Sequence, residues 1–400
     1  MKRLTSLGLS ALLFGCAVLP ATAQSVIPER DSSETSMFEL ITKTQKRNKA
    51  FNLDLNLHST FNAHFADGRA DEAAFRFNYI QIQASGEVND RLFYLYRQNL
   101  NGTNGEAPLE NLNGSIEYAM IGYRLTDRLT LTAGKQDIAW GGFEYDYDPY
   151  TIYQYSDMND YLDCYFTGVM LGYEFTPAQE LRLQVANNRF GSMEETFGTL
   201  PEDIRKPFAP LYYTLNWNSS YADETLNLRY SLTAGEQAKG KWSYMAWAGH
   251  NVCVGPFDGY FDVIYTRGAL DPLGLITELR ATDEEASDTY YPCAQNTDYL
   301  SLVAELNYRL HPKWNLFAKG TYETASVYKG TEYWDSGRYR TSWGYQGGVS
   351  FYPMADDNLH FFLMGAGRTS TLADNAKVLG ASEDNTARLT IGFIYRLPLF

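Results

Sequence analysis

Between Gln136 and Cys164 the chain reads QDIAWGGFEYDYDPYTIYQYSDMNDYLDC. Its carboxylates are Asp137, Glu144, Asp146, Asp148, Asp157, Asp160 and Asp163, and no lysine or arginine interrupts them after Lys135. Trp140, Phe143, Tyr145, Tyr147, Tyr150, Tyr153, Tyr155 and Tyr161 are interleaved with the acids. Such a segment could do three kinds of chemistry. Acids gathered at the narrow point of a water path control which ions pass. Clustered carboxylate oxygens hold calcium, but Asp157-x-x-Asp160-x-x-Asp163 lacks the Asp-x-Asp-x-Asp-Gly order of a calcium loop, so no metal and no cofactor is assigned. The rings could stack on sugars or only pack against a wall, and the residue types alone do not separate these two.

What positions such a segment is written on either side of it. RLTIGFIYRLPLF, at the C-terminus, puts Leu389, Ile391, Phe393, Tyr395 and Leu397 on one parity and Arg388, Thr390, Gly392 and Arg396 on the other. FNLDLNLHSTFNAHF (51–65) alternates the same way. A two-residue period is a strand with one oily and one polar face. Further strands are expected near 74–87, 91–100, 115–125, 128–136, 165–175, 180–188, 209–217, 225–234, 241–250, 257–267, 298–310, 314–325, 339–352 and 358–368, sixteen in all. The phase slips near Tyr79-Ile80 and near Phe361-Phe362.

The links sort into two sets. Longer ones are expected at 66–73, 101–114, 136–164, 189–208, 235–240, 268–297, 326–338 and 369–385, and short turns fall between them. Long outer loops alternating with short periplasmic turns mark a transmembrane barrel. Tyr123, Tyr173, Tyr308 and Tyr395 each stand about two residues before a strand end on the oily parity, with Trp217 and Trp314 at similar depth. An amphipathic ring belongs at that level, its body in lipid and its hydroxyl among headgroups. The expected fold is therefore all-β, a transmembrane antiparallel β-barrel over 50–400 whose last strand closes on its first.

The N-terminus agrees. Lys2 and Arg3, an apolar run from Leu7 to Leu19 and Ala21-Thr22-Ala23 read as a signal peptide over 1–23. Residues 24–49 then form a short periplasmic leader, with Ser36 and Glu39 placed as a capping box. No later stretch approaches the ~18 apolar residues of a helical span. Aromatics make up 15% of the chain, and the formal charge of −15 becomes −17 without Lys2 and Arg3, which argues against nucleic acid. Cys164, Cys253 and Cys293 remain after cleavage; only Cys164 and Cys293, both in outer links, are a conceivable pair.

Sixteen strands enclose more space than side chains fill, so a water-filled lumen is expected. Arg229, Glu305, Arg309, Lys319, Glu323 and Arg340 fall on the inward parity, among Asn227, Asn307, Asn315, Thr321 and Gln346. A basic residue facing mid-bilayer lipid would cost ~2–4 kcal/mol, so these are pore-lining candidates. The acidic segment is the third outer link, and an aromatic-rich loop of its length is expected to fold inward and narrow the pore.

With signal peptide, strand count and LTLTAGKQDIAWGGFEY (129–145) together, the chain resembles sixteen-stranded outer-membrane porins, the phosphate-selective O/P type in particular. Gly134, Lys135, Gly142 and Glu144 match that family's Gly-Lys strand end and the opening of its inward loop. The resemblance implies an outer-membrane location in a Gram-negative bacterium, a homotrimer, contact with outer-membrane lipid and lipopolysaccharide, and diffusion of small hydrophilic solutes. Phosphate selectivity wants a lysine- and arginine-rich constriction, whereas this loop is acidic, so cations or neutral solutes fit better. Pro398 also moves Phe400 off the oily parity. Open alternatives are a substrate-specific channel of sixteen to eighteen strands and a non-conducting adhesion or anchoring barrel. An enzyme is not expected, because no histidine among His58, His64, His250, His311 and His360 has a G-x-S-x-G nearby.

Overall fold

A computed structural model describes residues 36–43, 49–101, 106–280, 291–354 and 358–400. The signal peptide and most of the leader lie outside these. Sixteen antiparallel strands close into one barrel. They are β1 (Asn52–Ala66), β2 (Arg69–Glu87), β3 (Leu92–Asn99), β4 (Ile116–Arg124), β5 (Leu129–Asp137) and β6 (Tyr165–Thr176). β7 (Gln179–Asn187), β8 (Leu211–Tyr221), β9 (Leu226–Ala238), β10 (Lys241–Val254) and β11 (Phe257–Leu270) follow. The wall is completed by β12 (Gln295–His311), β13 (Trp314–Val327), β14 (Gly337–Phe351), β15 (Leu359–Leu372) and β16 (Asn385–Pro398). β16 closes on β1 from Asp54 opposite Pro398 to Ala66 opposite Thr386, which leaves no barrel edge unpaired.

Two of the expected outer links are tight turns. β2 begins at Arg69 and β9 reaches Ala238, so only Asp67–Gly68 and Lys239–Gly240 remain as connections. Asp67 (φ 47°) and Gly68 (φ 75°) are both left-handed, the backbone that matches the twist of a hairpin. The phase slip near Tyr79 is a β-bulge: Tyr79 pairs with His58 and Phe77 with Ser59, so Asn78 is the extra residue. Phe361 and Phe362 keep regular pairing; Phe362 is buried and Phe361 exposed.

The outward parity is oily, with Ile121, Leu183, Leu232, Leu306 and Ile391 all exposed. Tyr123, Tyr173 and Trp314 are exposed on the same parity at the short-turn end. Helix α1 (Met37–Thr42) is opened by Ser36 and Glu39 as a reciprocal capping box. The Phe38 ring lies 4.7 Å from that of Phe400, and Phe51 lies on its other side at 5.5 Å. Displaced by Pro398 from the lipid parity, the terminal phenylalanine thus packs between the leader helix and the start of β1. Cys164, Cys253 and Cys293 are free thiols.

Candidate pore constriction

The acidic link leaves β5 and touches inward residues of successive strands, almost in chain order. Ala139 donates its N–H to Gln184 Oε1 of β7 at 2.7 Å, and Gly141 to Ser231 Oγ of β9 at 2.8 Å. Trp140 stacks on Trp247 of β10, rings 5.1 Å apart and 14° from parallel. Phe143 and Glu144 then donate their N–H groups to Asp262 of β11 at 2.9 Å. Gly142 precedes them at φ 103°, a backbone that side-chain-bearing residues rarely adopt, and so aims the first helical turn at that carboxylate.

Glu144 is fully buried and ties the segment together. It pairs with Lys319 of β13 and accepts from Ser156 and Asn159 on the returning arm of the link. Burial alone would push its carboxyl up, but Lys319 and these hydrogen bonds outweigh it and hold the group below the ordinary carboxylate value. Between the two arms, Asp146 pairs with Arg229 of β9 at 2.8 Å and Asp148 with Arg97 of β3 at 2.9 Å. Arg97 in turn holds Glu117 at 2.7 Å and lies over the Tyr118 ring at 4.5 Å.

The returning arm meets β13 to β16. Tyr153 packs against Phe317 and Phe362 and shares hydrogen bonds with Ser350 (3.1 Å) and His360 (3.2 Å). Three backbone carbonyls accept basic side chains: Tyr153 from Arg388, Gln154 from Lys319 and Tyr155 from Arg368. Asp157 pairs with both Arg340 and Arg368, while its N–H donates to Glu323 at 2.6 Å.

Asp160 and Asp163 are exposed, with no ion pair among the described residues. Partial desolvation where the link packs around it raises Asp160 above the ordinary carboxylate value; Arg368 opposes the shift, and Asp157 and Glu144 add to it. Asp137 is the last residue of β5, and its carbonyl accepts from Gln184. Glu305 accepts from Tyr260 at 3.0 Å, and Arg309 lies over the Tyr352 ring at 4.0 Å. Lys135 is engaged not by the acidic link but by Glu110 of the second outer link, 2.9 Å away and equally buried, beneath the Phe190 ring.

Arg97, Asp262, Arg368 and Arg388 hold the link and are absent from the sequence-derived candidates. Their signal was legible, since each is a charged residue on a strand whose neighbours two away are also inward. Among the described residues no cluster of three or more metal-ligating side chains could hold an ion. Asp157, first of the calcium-like triplet, is instead bound by two guanidinium groups.

A closed sixteen-stranded barrel with an oily exterior and a charged interior defines an outer-membrane diffusion channel. The profile of the family described as phosphate-selective porin O and P matches residues 51–397, and the chain belongs to that family. No curated protein sequence matches it significantly. Among solved structures it is similar to the outer membrane channel DcaP of Acinetobacter baumannii (TM-score 0.60, 10% identity, 88% of this chain and 99% of that one). An anion-selective porin from Comamonas acidovorans superposes with TM-score 0.58 at 8% identity, covering 87% and 99%. OmpF of Salmonella typhi does so with TM-score 0.55 at 14% identity, covering 87% and 98%. At these identities the structural likeness is one of fold. Family and fold together make the chain a porin of the Gram-negative outer membrane, passing solutes by passive diffusion.

Proposed function

We propose that this porin passes small hydrophilic solutes through a constriction built by residues 138–164, with a preference for cations and neutral solutes over phosphate. The observation that carries this is the pairing of charges along the link. Lys319, Arg229, Arg97, Arg340 and Arg368, five of the inward bases that could gather an anion, each have a carboxylate of the link as partner, while Arg388 donates to the Tyr153 carbonyl. Asp160 and Asp163 are left over as exposed negative charge. Rings of such charge favour cations. The pore-lining role proposed for Glu305, Arg309 and Glu323 rests on their inward parity alone.

Assembly as a homotrimer is part of this reading, supported by family membership and by a solved trimer form of OmpT from Vibrio cholerae with the same fold (TM-score 0.50). Export through cleavage after Ala23, contact with lipopolysaccharide and an absence of catalysis complete it. The test is single-channel recording of refolded protein in a planar bilayer under a salt gradient. A cation-selective reversal potential is the expected result. An anion-selective one would overturn the charge argument and restore phosphate. No conductance would leave an adhesion or anchoring barrel.

A further inference from the structure

The two arms of the acidic link are joined to each other twice behind its tip. Ile138 donates its N–H to the Cys164 carbonyl at 2.8 Å. The buried Glu144 carboxylate accepts the Ser156 N–H at 2.9 Å and a second bond from Asn159. Residues 145–155 are therefore a loop within the link, its neck closed by the link's own bonds. Inside it Thr151 donates its N–H to the Asp148 carbonyl at 2.8 Å, which keeps the tip in one compact turn.

Two kinds of contact hold that tip to the wall. Asp146–Arg229 and Asp148–Arg97 are ion pairs whose carboxylates are 25% and 38% exposed, so salt screens them more than the buried Glu144–Lys319 pair. Tyr153 is seated in a socket. Its ring stacks on Phe317 of β13 at 4.8 Å and 28°, lies 4.4 Å from Phe362 of β15, and meets His58 of β1 edge-on at 6.3 Å. Two glycines make the room. A Cβ on Gly348 of β14 would meet Phe317 Cζ at 2.7 Å, and one on Gly392 of β16 would meet Phe362 Cζ at 2.9 Å. The Tyr153 hydroxyl shares hydrogen bonds with Ser350 and His360, and its carbonyl accepts from Arg388. Taking this one ring out of its socket would free the tip while the neck stays closed.

We propose that residues 146–153 are a releasable latch with Tyr153 as its bolt, and that release gives the channel a second, wider conducting level. This rests on the constriction being built by residues 138–164, and not on its ion preference.

Single-channel recording of the refolded protein, with neutral polyethylene glycols of graded size in the bath, tests it. Wild type should dwell at a narrow level with brief visits to a wider one, and salt should favour the wider level through the two partly exposed pairs. Tyr153→Ala should raise occupancy of the wider level by on the order of ten-fold and admit larger polymers, since a buried ring cut back to alanine forfeits more than one such factor. Phe362→Ala, on the wall side, should do the same, and the double variant should add little to either. Tyr153→Phe keeps the ring and should stay mostly narrow. One conductance level and one polymer limit shared by wild type and both truncations would overturn the latch. So would additive effects of the two truncations, which would mean a general loosening of the barrel. The reversal potential keeps the two readings apart: unchanged levels with cation preference remove the latch and leave the constriction, whereas no current from any of these proteins removes both.

Discussion

Asp262 and Phe143 stand 119 residues apart, yet both oxygens of the Asp262 carboxylate accept the Phe143 N–H at 2.9 Å. Glu144 adds a second N–H to the same group. The wall residue is fully buried, and among the described residues its carboxylate accepts from the link alone. Asp262→Ala would leave two buried N–H groups unpaired at about 1–3 kcal/mol each. The barrel should still fold, with heat-modifiable mobility on gels. Open-channel current noise should rise, and protease should reach residues 138–164. Noise equal to wild type would show that the link does not depend on this anchor.

Lys319 and Glu144 are a buried pair, 3% and 0% exposed at the side chain. Lys319→Met alone would strand a buried carboxylate and is expected to cost about 3–5 kcal/mol. Adding Glu144→Gln should recover much of that loss, because the stranded charge disappears. Guanidinium unfolding in detergent, followed by tryptophan fluorescence, compares the two. A double variant no better than the single one would mean the pair acts through shape rather than charge.

Asp160→Asn together with Asp163→Asn removes the exposed acids that have no ion pair and leaves the docked pairs intact. The reversal potential under a salt gradient should move toward zero while single-channel conductance changes by less than about two-fold. A reversal potential that stays put would place the selecting charges elsewhere in the lumen.

Acid should act in two stages. Asp160 is raised in the folded protein, so its charge opposes the folded state at neutral pH; that cost is relieved, and the negative charge lost, as pH falls toward the ordinary aspartate value of about 3.9. Glu144 is lowered, so its contribution to stability is fully present above the ordinary glutamate value of about 4.3 and is lost only as pH falls through its depressed value. Cation preference should therefore weaken at a higher pH than that at which channel noise rises. Recording both from pH 7 down to about 3 checks the order, and the reverse order would contradict the assignment.

Much of this architecture is local and so was legible. Strand period, turn position and the sorting of links depend on residues two to ten apart, and barrel closure follows because an open edge in lipid is too costly. Where local reading slipped, the cause was a single residue. Asn78 shifts the face of β2 by a bulge, and Asp67–Gly68 closes a hairpin where a loop was expected. The acidic segment was legible as unusual, and its lumen partners were visible as charged inward residues on strands.

The pairing between them was not. Alternation tells which side of the wall a residue takes but not which residues meet across the space inside. Lys135, adjacent to the acidic run in sequence, is engaged by Glu110 of another link, while Arg97 of β3 crosses to Asp148. The sequence by itself determined a membrane barrel with an oily outside, a charged inside and one acidic link, because those are properties of neighbours along a strand. Only the tertiary structure decided that Glu144, Asp146 and Asp148 each meet one wall base and Asp157 two, with Asp160 and Asp163 left over, because buried charges are stable only where a partner is brought within contact.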